Sequence, residues 1–200
     1  MVLFSKKDCF LLFHFKAKAM ITRRLFTFLT PTLIGSLMSE PAAAAAAPTL
    51  LMELKYGPVT IALRPDIAPQ ASERLKTLSA QGFYDGCKFF RVIPGFMAQT
   101  GDPTNTGMNG SSLPNLPAEF TQDASFLTGA VGMARTSDPN SANSQFFICF
   151  APATFLDGQY TIVGQVTAGM EAVAQIKAGT AQNNGAVADP DSIIKMTVAS

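Results

Sequence analysis

The chain has 200 residues, of which 48% are apolar and 14% charged, and its formal net charge is +1; that length suits a single domain with a substantial core. Residues 1–47 hold six of the 15 Lys+Arg but only Asp8 and Glu40 of the 14 Asp+Glu, a net of +4, whereas residues 48–200 carry −3. A mildly acidic body without a basic cluster excludes the phosphate-binding surface that a nucleic-acid partner requires.

The one histidine, His14, also lies in the leading segment, so residues 48–200 contain no imidazole. A His-based triad, a His-ligated metal and the usual general base near neutral pH are thereby excluded from that body. Three cysteines, Cys9, Cys87 and Cys149, show no metal-binding spacing. Cys149, in the run Phe146-Phe147-Ile148-Cys149-Phe150, reads as a small apolar core residue. Cys87 follows Asp85-Gly86 at a strand entrance, a position open to exposure; whether it pairs with Cys149 is left open, because pairing depends on geometry.

The leading segment reads as an export leader over 1–47, with Met20 as the expected true start. Arg23-Arg24 precede an apolar stretch from Leu25 to Met38, and six alanines follow Pro41. A positive region, a short apolar region and a small-residue cleavage zone are the parts of a secretory signal. The apolar stretch falls short of the roughly 20 residues a membrane span needs, so no stable span is expected. Arg-Arg-Leu-Phe resembles a twin-arginine signal, with Thr22 in place of the usual Ser and the downstream Lys missing. The expected location is periplasmic; the alternative is an unprocessed tail on a cytoplasmic protein.

Within 48–200, Leu50–Tyr56 and Val59–Leu63 flank Gly57-Pro58 and predict a hairpin. Pro69 opens a helix whose Ala71, Leu75 and Leu78 form one buried stripe, with Gly82 closing it. Strands are expected over Lys88–Ile93, Phe96–Thr100, Ala130–Ala134, Gln145–Phe150, Tyr160–Val166 and Ser192–Val198. Met170, Val173 and Ile176 predict a second short helix ended by Gly179. From Pro103 to Pro117 the composition turns to Gly, Asn, Ser, Thr and Pro, a long loop of the kind that tends to be functional. Its Gly107 and Gly110 lack the Lys and following helix of a phosphate loop. Eight strands and two helices leave too few helices to cover both faces of a parallel sheet. The expected fold is therefore mainly β: a closed eight-stranded antiparallel β-barrel capped by two α-helices, with no open edges.

One stretch, Phe89-Phe90-Arg91-Val92-Ile93-Pro94-Gly95-Phe96-Met97-Ala98-Gln99-Thr100-Gly101-Asp102, sets a single cation among large apolar residues. Alone, Arg91 reads as a surface charge on a half-buried strand. Together with Gly82-Phe83-Tyr84-Asp85-Gly86, Met133-Ala134-Arg135-Thr136, Ser144-Gln145-Phe146-Phe147-Ile148 and Phe155-Leu156-Asp157-Gly158, in that order, the stretch resembles the signature of the cyclophilins, the prolyl isomerases. The resemblance covers roughly 49–198, and the Met-Ala-Arg-Thr block is similar to bacterial members.

The resemblance implies an eight-stranded barrel with two helices and an enzyme that isomerises X-Pro bonds in extended or unfolded polypeptides, without a cofactor. It implies that Arg91 is the catalytic arginine, that Phe96, Met97, Phe147 and Leu156 wall a proline pocket, and that Gln99 hydrogen-bonds the substrate backbone. Ala134 and the backbone of Arg135 match the strip that pairs with an extended peptide, and Gln145 matches a further polar contact. Three positions depart: Phe90 replaces a histidine beside the arginine, Phe155 stands where many eukaryotic members have tryptophan, and Tyr160 where they have a pocket-lining histidine. Loss of the indole N–H predicts weak binding of cyclosporin-like inhibitors. The implied partners are proline-containing polypeptides, and the implied state is a monomer. Two other readings stand beside it: a proline-segment-binding module without turnover, which uses the same pocket, and a carrier of small apolar ligands with an open barrel interior, against which the aromatic and aliphatic strand residues are numerous enough to fill a small barrel.

Overall fold

The computed structural model describes residues 47–199; the leader expected over 1–47 lies, but for Ala47, outside them. Ten regular elements follow in chain order: β1 (Thr49–Leu54), β2 (Gly57–Leu63), α1 (Pro69–Ala80), β3 (Arg91–Ile93), β4 (Met97–Thr100), β5 (Ala130–Met133), β6 (Phe146–Cys149), β7 (Ile162–Ala168), α2 (Met170–Val173) and β8 (Lys195–Val198). Short 3₁₀ turns occupy Thr154–Leu156 and Ala181–Asn183. Among the described residues no helix is long and apolar enough to cross a membrane.

The strands form one antiparallel sheet in the order β3-β4-β6-β5-β7-β2-β1-β8. This corrects the closed barrel expected from sequence: the sheet has two ends, β3 and β8, with no ladder between them. The reason lies in the chain after α2. The outer edge of β3 is covered by loop rather than strand, through Val92 N to Gly185 O at 2.7 Å, Gly179 N to Val92 O at 3.0 Å and Val187 N to Phe90 O at 3.1 Å. A short bridge outside the strands, with Gly86 N to Ile193 O at 2.8 Å, Phe89 N to Asp191 O at 2.8 Å and Ile193 N to Cys87 O at 2.9 Å, ties the approaches to β3 and β8. The edge is thus blunted without being abolished.

Burial follows the pleat. In β1 and β2, Leu50, Met52, Leu54, Val59, Ile61 and Leu63 are buried and alternate with more exposed residues, as a one-sided strand should. In β5 and β6 every residue is buried, because these strands carry a second apolar layer on the other face. Phe146 and Ile148 join the main core, while Phe147 and Cys149 belong to a separate cluster with Met97, Phe126, Ala153, Leu156 and Ile162. The main core is filled by side chains such as Leu63, Val131 and Met196, as the interior of a small barrel is.

Helix α1 buries Ala71, Leu75 and Leu78 as its spacing requires, and lies against β8 and β7. Its N-cap, Ala68, has no capping oxygen; the Glu119 carboxylate accepts from Gln70 N and Ala71 N, both at 2.9 Å, and satisfies two orphan donors. The turn of the first hairpin falls at Lys55-Tyr56 rather than at Gly57-Pro58, since Pro58 pairs with Glu53 inside the ladder. Helix α2 is shorter than expected. It ends at Val173 and continues as i→i−3 turns to the buried Ile176, while Gly179 leaves the helix to bond Val92. Both Cys87 and Cys149 are free thiols, and Cys87 is buried rather than exposed.

Candidate active site

Ladder register brings the site together. Arg91 on β3 faces Gln99 on β4, Gln99 faces Phe147 on β6, and Phe147 faces Gly132 on β5. Directly opposed residues share a face, so these positions form one row across four strands. Two residues along, Ile93, Met97 and Cys149 form a second row on the same side. This is the face of the second apolar cluster, and the site therefore lies outside the main core.

The row works only because Gly132 has no side chain. A Cβ there would stand 2.4 Å from Phe147 Cζ and 2.6 Å from Phe126 Cε1. In that gap Phe126 stacks on Phe147 with centroids 5.6 Å apart, and Tyr160 meets Phe147 edge-on at 6.0 Å. Across the opening, Phe96 lies 5.4 Å from Phe155, which is largely exposed and forms the rim. Leu156 is pinned by its neighbours: Asp157 Oδ1 accepts from Phe126 N at 2.8 Å, and Ala153 N donates to Phe126 O at 2.7 Å.

A polar line borders this apolar floor. Arg91 Nη1 donates to Gln99 Oε1 at 3.1 Å, Gln99 Nε2 donates to Gln145 Oε1 at 2.9 Å, and Gln145 Nε2 donates to the carbonyls of Gly107 at 3.1 Å and Asn109 at 2.7 Å. A guanidinium can only donate and a carbonyl can only accept, so both amide orientations are fixed by the ends of the line. The loop is held in turn by the fully buried Asp102, whose carboxylate accepts from Thr104 N, Thr106 N, Gly107 N and both threonine hydroxyls. Burial pushes the Asp102 pKa up, but these donations outweigh it and hold the group below the ordinary carboxylate value.

Arg91 is half-buried, and burial pulls its pKa down while the neighbouring Tyr160 oxygen pushes it up; a guanidinium stays charged through shifts of this kind. Three of its five N–H donors are engaged, two of them by Asn184: Nε to its carbonyl at 3.1 Å and Nη2 to Oδ1 at 2.9 Å. Asn184 is a residue that sequence reasoning missed. Its signal was Asn183-Asn184-Gly185, a turn-forming run in which Asn184 adopts φ 58°. Phe126 was missed as well, having no recognisable spacing to the other pocket residues.

All the expected site residues except Gln145 line one cavity of about 270 Å³: Arg91, Phe96, Met97, Gln99, Ala134, Arg135, Phe147, Phe155, Leu156 and Tyr160. Gln145 lines a neighbouring cavity of about 440 Å³ that shares Ala134 and Arg135 with the first. Ala134 N donates to Gln145 O at 2.9 Å, whereas the backbone N–H and carbonyl of Arg135 bond nothing among the described residues. Phe90 stands apart from the first cavity. Its ring lies over Gly107, which at φ 80° presents no side chain to it, and it lines a third cavity on the far side of Arg91. Among the described residues no group of three His, Cys, Asp or Glu is placed to hold a metal.

A small apolar pocket with a fixed guanidinium and a bordering amide suits a cyclic imino-acid side chain in an extended peptide. Comparison with known proteins agrees. The family described as cyclophilin type peptidyl-prolyl cis-trans isomerase/CLD matches residues 49–198. A Brucella suis protein named "Probable peptidyl-prolyl cis-trans isomerase" is 51% identical over 169 residues, covering 78% of this chain and 86% of the relative. An Aspergillus oryzae protein named "Peptidyl-prolyl cis-trans isomerase-like 1" is 36% identical over 141 residues, covering 70% and 86%. Among solved structures, a Cryptosporidium parvum cyclophilin type peptidyl-prolyl cis-trans isomerase, crystallised in the presence of the dipeptide Ala-Pro, matches with a TM-score of 0.69 at 28% identity over 76% of this chain and 99% of that one. A cyclophilin from Hirschia baltica matches with a TM-score of 0.66 at 25% identity over 74% and 73%. With the match running from β1 to the end of β8, the chain belongs to the cyclophilin-type peptidyl-prolyl cis-trans isomerases.

Proposed function

We propose that this chain accelerates rotation about X-Pro bonds in extended or unfolded polypeptides, with Arg91 as the catalytic residue. The observation that carries the reading is the placing of a charged, three-point-anchored guanidinium at the edge of an apolar pocket of proline size.

Amide resonance gives the X-Pro bond a rotational barrier of about 18–20 kcal/mol, and uncatalysed isomerisation takes on the order of tens to hundreds of seconds. Twisting the bond localises the lone pair on the proline nitrogen, which then accepts a hydrogen bond that the planar amide accepts poorly. A donor fixed beside that nitrogen binds the twisted state better than either planar one, which is what lowers the barrier. Arg91 has two N–H donors left for this, one on each terminal nitrogen. Phe96, Met97, Phe147, Leu156 and Tyr160 hold the ring, so the segment on the other side of the bond turns. The free backbone groups of Arg135 and the spare N–H of Gln99 fix the flanking peptide. No covalent bond is made or broken and no proton moves, so the absence of histidine from 48–200 is no obstacle.

The test is an isomerase assay on a short X-Pro peptide with the purified protein and with Arg91→Ala. The variant is expected to stay folded and to lose a factor on the order of 10² in kcat/KM, the scale of losing one oriented donor. A folded variant of near-normal activity overturns the mechanism. If the protein is a binding module without turnover, exchange spectroscopy will show peptide binding but no cis-trans cross-peaks.

The leading segment supports a second proposal, export to the periplasm, from the twin arginine, apolar stretch and alanine run. Intact mass of the protein from its native source reads whether residues before 48 are removed.

A further inference from the structure

The charge that lines the site is one-sided, the Asp102 carboxylate behind the loop being covered by its own donors. Three cavities meet there, of about 270, 730 and 440 Å³, and Arg135 lines all three. Between them they are lined by Lys88, Arg91 and Arg135 and by no aspartate or glutamate, although residues 48–200 carry a net charge of −3. Elsewhere the cations are mostly matched: Lys55, Arg64, Lys76 and Lys177 form ion pairs with Asp191, Asp66, Glu73 and Asp189. Among the described residues the three cations of the site have no carboxylate partner.

Arg135 is also held in place. Its guanidinium lies 4.4 Å over the Tyr160 ring and 5.8 Å from that of Phe120. Nε and Nη2 donate to Gln159 O at 3.0 and 2.9 Å, and Nη1 to Thr136 O at 2.9 Å. All these partners are neutral, so the full charge remains uncompensated, and two of the five N–H donors are still available. A guanidinium fixed by stacking and carbonyls, with a free side and no counter-ion, is arranged to receive an anionic oxygen.

Resting on the isomerase reading, we propose that the preferred substrates are X-Pro segments carrying an aspartate or glutamate within a residue or two of the proline, with the carboxylate recognised by Arg135 and drawn in by Lys88 and Arg91. Such a side chain would supply the missing counter-charge at the junction of the cavities. Complementary charge on a peptide raises its rate of productive encounter and slows its release, and both effects are screened by salt.

The experiment compares peptides of one length with an acidic residue before the X-Pro pair, an acidic residue after it, a neutral residue, or a lysine, using exchange NMR on the purified full chain. At low salt at least one acidic peptide is expected to exceed the neutral one by about 5–10-fold in kcat/KM and the lysine peptide to fall below it, with the differences shrinking under twofold at 0.5 M salt, where the Debye length is a few Å. Arg135→Gln should bring the acidic-to-neutral ratio within twofold of one, Arg135→Lys should restore part of it, and Lys88→Gln should reduce it less. Circular dichroism confirms that each variant is folded. Equal rates for acidic, neutral and basic peptides in the wild type, or a ratio that Arg135→Gln leaves unchanged, overturns the proposal. Absence of turnover on every peptide defeats the isomerase reading instead; the ratio of Kd values from chemical-shift titration with the same peptides then decides the charge preference independently.

Discussion

Arg91 and Gln99 are register partners across the β3–β4 pair, and their side chains are joined by a hydrogen bond of 3.1 Å from Nη1 to Oε1. Ladder pairing thus sets the guanidinium before any ligand arrives. Replacing Gln99 by Leu keeps the volume but removes the acceptor and breaks the line to Gln145. The expected result is a folded protein whose kcat/KM falls by about 10- to 100-fold, in line with the loss of a hydrogen bond to a charged group, about 1.5–3 kcal/mol. Thermal melts beside the isomerase assay check it, and unchanged activity would mean that Asn184 alone orients Arg91.

Gly132→Ala tests the close approach beneath the pocket. The added methyl would lie within 2.6 Å of both Phe147 and Phe126, so one ring must move. Overpacking of this kind costs about 1–3 kcal/mol, and displacement of Phe147 narrows the proline site. A lower Tm together with a raised KM is expected; a rise in KM without loss of stability would place the strain on the pocket rather than on the second cluster.

Asp102 links stability to pH. Its folded-state pKa lies below that of the unfolded chain, so its contribution is complete above the unfolded carboxylate value and disappears as pH falls through the folded one. Asp102→Asn, which loses the charge and turns an amide NH₂ toward backbone donors, should melt earlier at pH 7. The gap in Tm between wild type and variant should begin to narrow below about pH 4, where the carboxylate of the unfolded chain protonates, and close further as pH falls through the lower folded value. A constant gap from pH 7 to pH 3 would show that Asp102 acts through shape alone. Because Gln145 bonds the carbonyls of Gly107 and Asn109, the variant should also lose activity.

Both thiols of the described body should be unreactive. Burial, with Asp102 and Asp85 nearby, pushes Cys87 up to about 11, and burial pushes Cys149 up to about 12. The thiolate is the reactive form, so peptide mapping after iodoacetamide treatment at pH 7.5 is expected to find no label on either until the protein is unfolded. Labelling of Cys87 in the native state would reveal opening near the start of β3.

The sequence made the strands, α1 and the pocket list legible because each rests on local pattern or on a recognisable block. The run Phe146-Phe147-Ile148-Cys149 marks a strand with Cys149 in a core, as found, and the cavity gathers nearly every residue named for it. What was not legible depends on where the chain goes between blocks. Asn184 reaches Arg91 from 93 positions away, through a loop that takes the place a strand pairing would have filled in a closed barrel. The turn at Lys55-Tyr56 was misplaced because Gly-Pro is ordinarily a turn signal, and here the ladder absorbs it. The anchoring of Arg135 on Tyr160 is not legible, because the resemblance assigns a role to the backbone of Arg135 and none to its guanidinium.

The interleaving of two apolar layers on β4 and β6 separates two kinds of selection. Positions 98, 146 and 148 face the main core, while 97, 99 and 147 line the cavity on the other side. A library that varies only every second residue of these two strands would therefore reshape the cavity while leaving the main-core positions between them unchanged.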